Sequence, residues 1–400
     1  MKIKILAYSL LILLLIPNIC LSKKKITKPS ARAAFHNNQG VSALNSGNKQ
    51  QAEIEFKTAI ELSPDYVEAY NNLGIVYKLN GKLQMAEAQF FKAISLDKDY
   101  AAPYAHLGAV YMAQGKIDDA IKQIKKALKK DGRRADSHYQ MGLAYLEKSK
   151  SGGDQKNIEQ AINELKIATE LNPSLTHAHQ LLAKIYEQQG DYEKSQIRYR
   201  LALADQPNSV EGWLKLGHMY LKKHDNFKAQ NCFLKALEMD PSSADAHLEL
   251  GLFYIQEGKT KDAINEFKSV TTLDPKNAMA WFRLGSVYLA SKQYKSAETV
   301  LRKAKNINPN FADASFNLGL TLYQQGKTIL AEQEWEHTIS VSPKYARALY
   351  NLANLYQQLG KTQQAGEMYC RFIKAGKTEF PSEVKVAEQK ISTSGTKCRH

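Results

Sequence analysis

Residues 244–277 read ADAHLELGLFYIQEGKTKDAINEFKSVTTLDPKN, and this stretch decides the fold. Its first part carries Leu248, Leu250, Leu252 and Ile255 at helical spacing, and Gly258-Lys259 breaks the pattern. A second helix is predicted from Thr260 to about Thr272. Pro275 follows, and its missing amide proton stops further extension. The unit is therefore a helix-turn-helix hairpin. Small Gly251 and Ala263 let the two helices approach closely, while Tyr254 and Phe267 fill the wedge between them and the next hairpin.

The same pattern continues on both sides. Glycines stand at 40, 74, 108 and 142, then at 217, 251, 285 and 319, always 34 residues apart within each run. The two runs are separated by two periods plus seven residues, and Ala183 falls one period before Gly217, so the array crosses the gap. Ten units result, from 33 to 379, with the seven-residue surplus in the fourth. Ser151, Gly152, Gly153 and Asp154 mark that surplus as an exposed loop near 148–156. Hairpins stacked in a line bury their core neighbour by neighbour, so the 400-residue length does not imply several globular domains.

Trp213, Leu216, Gly217, Tyr220, Ala229, Phe233, Ala236 and Pro241 fill every position of a known signature, and the array resembles the tetratricopeptide repeat. The resemblance implies an all-α, right-handed superhelical solenoid of about ten helix-turn-helix repeats. Departures are modest: Ala183 and Ala353 replace glycine, and Lys98, Gly132 and Lys377 replace proline. In the ninth repeat Leu322 takes the tyrosine position, with Tyr323 one place late. Phe372 stands in the last repeat where a small residue is usual, which suits an end unit packing against something else. Val384, Ala387 and Ile391, with Val386, predict a capping helix over 380–391, followed by a flexible tail at 392–400.

In such arrays the first helix of each hairpin lines the concave side. The resemblance therefore implies a groove lined by the residues three before, two before and one after each glycine. Three before stand Leu214, Leu248, Phe282, Phe316 and Tyr350, an apolar ladder; Leu214 and Leu248 read best as packing residues and the three aromatics as groove residues. Two before stand Arg283, Asn317 and Asn351, together with Asn38 and Asn72 in the first two repeats. Asparagine amides there suit hydrogen bonding to a peptide backbone, and equally suit water. Apolar rungs edged by amides fit a protein or peptide partner. The lysine, asparagine and arginine clamp of tetratricopeptide cochaperones is absent.

Nothing in the chain converges on catalysis. There is no GxxxxGK[ST] loop, no HExxH and no GxSxG. His177 and His179 lie two apart, on different sides of a helix, so no metal pair forms there. A noncatalytic chain with no cofactor, metal or small-molecule substrate is expected. The net charge is +15, but lysines are spread over nearly every repeat and no RNA-binding module appears, which argues against nucleic acid. The densest cluster, Lys125, Lys126, Lys129, Lys130, Arg133 and Arg134, reads as a solvated outer face or as a dock for an anionic surface.

Residues 1–22 carry Lys2 and Lys4, an apolar run from Ile5 to Ile16 and a small-x-small pair at Cys20 and Ser22, the outline of a secretory signal. Alternatives are lipidation at Cys20, or retention as an anchor with the repeats held inside by Lys23 to Lys25. Residues 23–32 then form a basic spacer. Export to the periplasm, or membrane association through the N-terminus, is expected. Cys370 and Cys398 either staple the terminus or remain separate thiols. The chain is similar to the repeat lipoproteins of type IV pilus and secretion machinery, which implies a scaffold in an envelope assembly. A cytoplasmic-facing membrane adaptor, or a noncatalytic partner of an envelope polysaccharide enzyme or glycosyltransferase, are the other readings.

Overall fold

The computed structural model describes residues 28–150, 154–394 and 398. The signal or anchor segment, Cys20 and the first half of the basic spacer lie outside these residues. Among the described residues every regular element is an α-helix. The first unit contains α1 (Ala31–Asn45), α2 (Lys49–Leu62), α3 (Val67–Leu79), α4 (Leu83–Leu96), α5 (Ala102–Ala113), α6 (Ile117–Lys130), α7 (Ala135–Lys150) and α8 (Gln155–Leu171). It ends at Ile185 within α9 (Thr176–Gln188). From Tyr186 onward the second unit contains α10 (Tyr192–Asp205), α11 (Val210–Lys222), α12 (Asn226–Met239), α13 (Ala244–Gln256), α14 (Thr260–Leu273), α15 (Ala278–Ala290) and α16 (Tyr294–Ile307). It continues with α17 (Ala312–Gln324), α18 (Thr328–Val341), α19 (Ala346–Gln358), α20 (Thr362–Gly376) and α21 (Pro381–Ser394).

Most hairpins are closed by one contact, in which the glycine of the first helix faces a large side chain on the second, sixteen residues later except at Gly142. A Cβ at Gly217 would lie 2.6 Å from the Phe233 ring, at Gly251 2.8 Å from Phe267, and at Gly319 2.5 Å from Trp335 Nε1. The rings are fully buried or nearly so. Ala183 and Ala353 depart from this rule together with their partners: the residues sixteen positions on are Tyr199 and Tyr369. Their hydroxyls bond Glu187 and Gln357, each four residues after its alanine.

The turn between the two helices also repeats. Its last tight residue takes a left-handed backbone, with φ +70° at Gly258 and +74° at Gly326. His224 and Lys292 occupy the same register at φ 58° and 59°, where a side chain crowds the following carbonyl. The long connection between hairpins is held by a ring four residues before the glycine. Trp213 and Trp281 donate Nε1–H to the carbonyls of Pro207 and Pro275, and His247 meets that of Pro241.

Of the expected loop at 148–156, residues 148–150 and 155–156 are helical and 151–153 lie outside the described residues. α7 has 16 residues and α8 has 17, where α13 and α14 have 13 and 14. The surplus adds about one turn to each helix, which returns their apolar faces to register. Leu165 thus meets Gly142 as Phe267 meets Gly251.

The array ends on α21, which buries Val384, Ala387 and Ile391 over α20 while Val386 stays exposed. Phe372 is 1% exposed and packs against Phe380 and Tyr350, so its bulk fills the end of the core. The helix runs to Ser394, past the expected end at 391. Cys370 and Cys398 form a disulfide, which decides between the two readings of that pair in favour of the staple.

Two substitutions test this frame by urea unfolding. Gly319→Ala drives a methyl group into the Trp335 ring and should lower stability by about 2 kcal/mol; an unchanged midpoint would show that the close approach is dispensable. Lys292→Gly relieves a left-handed side chain and should raise stability by about 1 kcal/mol.

Candidate functional site

The first helices of neighbouring hairpins touch one another, α1 on α3, α3 on α5 and α5 on α7 in the first unit, α11 on α13 and α15 on α17 in the second. No second helix packs comparably on the second helix of its neighbour among the described residues. Elements that approach more closely on one side curve toward it, so in each unit the first-helix side is the inner one.

Half-buried polar side chains line that side and bond from hairpin to hairpin. Asn72 Nδ2 donates to Asn37 Oδ1 at 3.0 Å. His218 meets Glu249 at 2.9 Å, and Asn317 Nδ2 donates to Ser286 Oγ at 2.9 Å. Each amide still has unused hydrogen-bonding capacity. Asn38 is exposed, and Asn351 has no protein partner among the described residues.

The apolar ladder divides differently from the expectation. Leu214 and Leu248 are half-buried against the core clusters of their hairpins. Phe316 is only 5% exposed and packs on Tyr345 at 5.1 Å, so its assignment to the groove is corrected. Phe282 packs on Phe311 at 4.9 Å and carries the exposed Arg283 guanidinium 6.0 Å from its ring. Tyr350 sits between Phe372 and Tyr369. The aromatic rungs reach the residue just before the next first helix, or the last second helix, and seal the joints between hairpins.

The open part of the inner side in the second unit is a cavity of about 390 Å³ between α17 and α19. Leu320, Tyr323, Asn351, Asn354 and Gln358 line it, and Lys390 of α21 enters it. Lys390 Nζ donates to Asn354 Oδ1 at 2.7 Å and to Tyr369 Oη at 2.9 Å. Burial pulls its pKa below the ordinary lysine value. Burial, with a smaller contribution from Tyr350, pushes the Tyr369 hydroxyl up to about 12. Lys390 escaped the sequence reading because the cap is not part of the repeat and its register cannot be inferred from the period.

The inner side of the first unit carries His106 and Lys78. His106, two before Gly108, stacks on Phe90 at 5.6 Å. Burial, with the charges of Lys78 and Arg134, pushes its pKa down to about 3 and keeps it neutral. Burial also lowers the pKa of Lys78. On the outer face Lys125, Lys126, Lys129, Lys130 and Arg133 are exposed, and Lys130 bonds Asp99 at 2.6 Å.

The remaining reactive side chains serve the fold. His138 and His247 each bridge a glutamate, Glu164 and Glu266, to a backbone carbonyl, and His179 meets the Pro173 carbonyl. Their signal was the position four before the glycine or its alanine replacement, which they share with Trp213 and Trp281. Burial, with the charge of Asp225, pushes the Cys232 thiol up to about 12, which leaves it unreactive. No cluster of metal-ligating side chains occurs among the described residues, and no described helix is long and apolar enough to cross a membrane.

Tetratricopeptide repeat models match residues 33–66, and also 55–88 and 334–367. A TPR repeat model matches 110–149 and 285–326, and the model of the cilia and flagella-associated protein 70 middle TPR-like domain matches 179–288. No curated protein matches the chain. Two crystal structures of MamA are similar at 25% and 27% identity, covering 43% and 45% of this chain and 94% and 96% of theirs, with TM-scores of 0.39 and 0.38. The crystal structure of yeast Tom70 is 15% identical, covers 91% of this chain and 95% of its own, and has a TM-score of 0.43. Repeat models fall on both units at the period of the hairpins themselves, and the chain is a tetratricopeptide-repeat protein.

Proposed function

We propose that the chain is a noncatalytic scaffold that holds a protein partner along its first-helix side, outside the cytoplasm, in a bacterial envelope assembly such as a pilus or secretion machine. The carrying observation is the cavity beside α19, where apolar Leu320 and Tyr323 lie next to Asn351 and Gln358 on a rigid double row of helices. Apolar anchors with amide donors and acceptors beside them suit a polypeptide, whose backbone offers both kinds of group at every residue. Rigid helices present them at little entropic cost. The Cys370–Cys398 disulfide supports the location, because such a bond persists in oxidising compartments. The signal-like segment at 1–22 supports it independently.

A photo-crosslinking residue placed at Asn351 in the native host should trap a specific partner, and one placed at Phe227, 74% exposed away from this face, should not. Leu320→Arg should reduce trapping by about ten-fold. Trapping at Phe227 alone would remove the inner side from the function. The compartment is tested separately, by peptide mapping of the unreduced protein from its host. A linked Cys370–Cys398 peptide is expected, and two free thiols would count against export.

A further inference from the structure

The lysines of the second unit's last repeats differ in what they bond. Lys305, Lys327 and Lys361 each hold a carboxylate, from Glu334, Glu298 and Glu332, at 2.6, 2.7 and 2.8 Å. Glu298 shows how strongly such pairing acts: burial works to raise its pKa, yet hydrogen bonds from Lys327, Arg302 and Gln325 bring it down to about 2. Lys390 has no such partner. Its acceptors are neutral, the amide oxygen of Asn354 and the hydroxyl of Tyr369. An ammonium has three donors, and two are used.

No aspartate or glutamate lines the cavity into which Lys390 opens; its polar walls are Tyr323, Gln324, Asn351, Asn354, Gln357 and Gln358. Two ionisation shifts agree. The Lys390 pKa falls through burial with no carboxylate acting to raise it, and the Tyr369 shift likewise has no carboxylate among its causes. A partly buried charge without a counter-charge costs free energy, and a ligand that supplies one recovers it.

We propose that Lys390 is an anion-binding residue, and that with Asn351 and Gln358 it takes a carboxylate carried by a polypeptide lying in the cavity between α17 and α19. The proposal rests on the reading that this side holds a protein partner, and it names the chemistry by which that partner is recognised. A carboxylate fits better than a phosphate. The cavity has a single cation and several neutral amides, which balance one negative charge, whereas a phosphate dianion calls for clustered guanidinium or ammonium groups. Lys390 also reaches the cavity from the capping helix, so the end of the array selects the partner as well as closing the core.

The test uses the full chain and a randomised peptide library in three forms: free C-terminal carboxylate, amidated with one internal glutamate, and amidated without acidic residues. The first or second form should be retained, and the difference between them tells a chain terminus from an acidic side chain as the source. Lys390→Gln should weaken that form by about ten-fold, with Lys390→Arg close to wild type and all three proteins melting together. Equal binding by Lys390→Gln and wild type overturns the proposal. Retention of the neutral form as tightly as the others also overturns it, and leaves the groove reading standing. No retention of any form overturns both.

Discussion

The contact between a first-helix glycine and the large side chain that faces it sets how closely the two helices of most hairpins approach, and much of the remaining geometry follows from it. With the ring pressed to backbone, as Phe233 is to Gly217 and Trp335 to Gly319, the two helices are as close as their main chains allow. The first helix of the next hairpin then has only one seat, and first helix meets first helix. That seat is why a 34-residue period is kept so strictly, and why the seven extra residues of the fourth repeat enter as about one turn in each helix. Where glycine gives way to alanine, the residue sixteen positions on is tyrosine, at Tyr199 and Tyr369. Its hydroxyl finds an acceptor one turn along the first helix. The ring is retained with its tip anchored.

The inner side inherits a different constraint. First helices pack too closely there for large side chains to remain free, so the largest ones turn sideways and seal the joints. Phe282 on Phe311 and Phe316 on Tyr345 are the same contact, one repeat apart. What stays available is largely polar and regularly spaced, with Leu320 and Tyr323 at the cavity as apolar exceptions. His218 with Glu249 and Ser286 with Asn317 bond residues one after and two before successive glycines, which ties neighbouring hairpins without filling the space between them. A row of this kind is stiff, and stiffness lets modest hydrogen-bonding groups act as a recognition surface.

Most of the fold was legible in the sequence because each packing role is tied to one residue type at one position. The glycine, the ring and the proline each answer to a steric or hydrogen-bonding demand that few residues meet, so their recurrence fixes the hairpin, its period and its boundaries. The site was legible only in part. The position three before the glycine says that a side chain leaves the inner helix, and not whether the next hairpin covers it. The answer for Phe282 and Phe316 lay in Phe311 and Tyr345, whose own 34-residue spacing was the available signal. The pairing of Cys370 with Cys398 depends on the tail turning back over α20, and no local pattern encodes that return.

The cap shows where a repeating code stops being informative. Within the array Lys305 has Glu334 and Lys361 has Glu332, each from a neighbouring repeat. α21 follows the last repeat and has no successor, so no register obliges a partner for Lys390. Its apolar side is fully committed to α20 through Val384, Ala387 and Ile391. With that face fixed and the tail stapled through Cys398, the helix cannot rotate to carry Lys390 back to water. The charge is therefore held over Tyr369 and Asn354 by the packing of the helix face beside it, and its free energy is set by whatever enters the cavity.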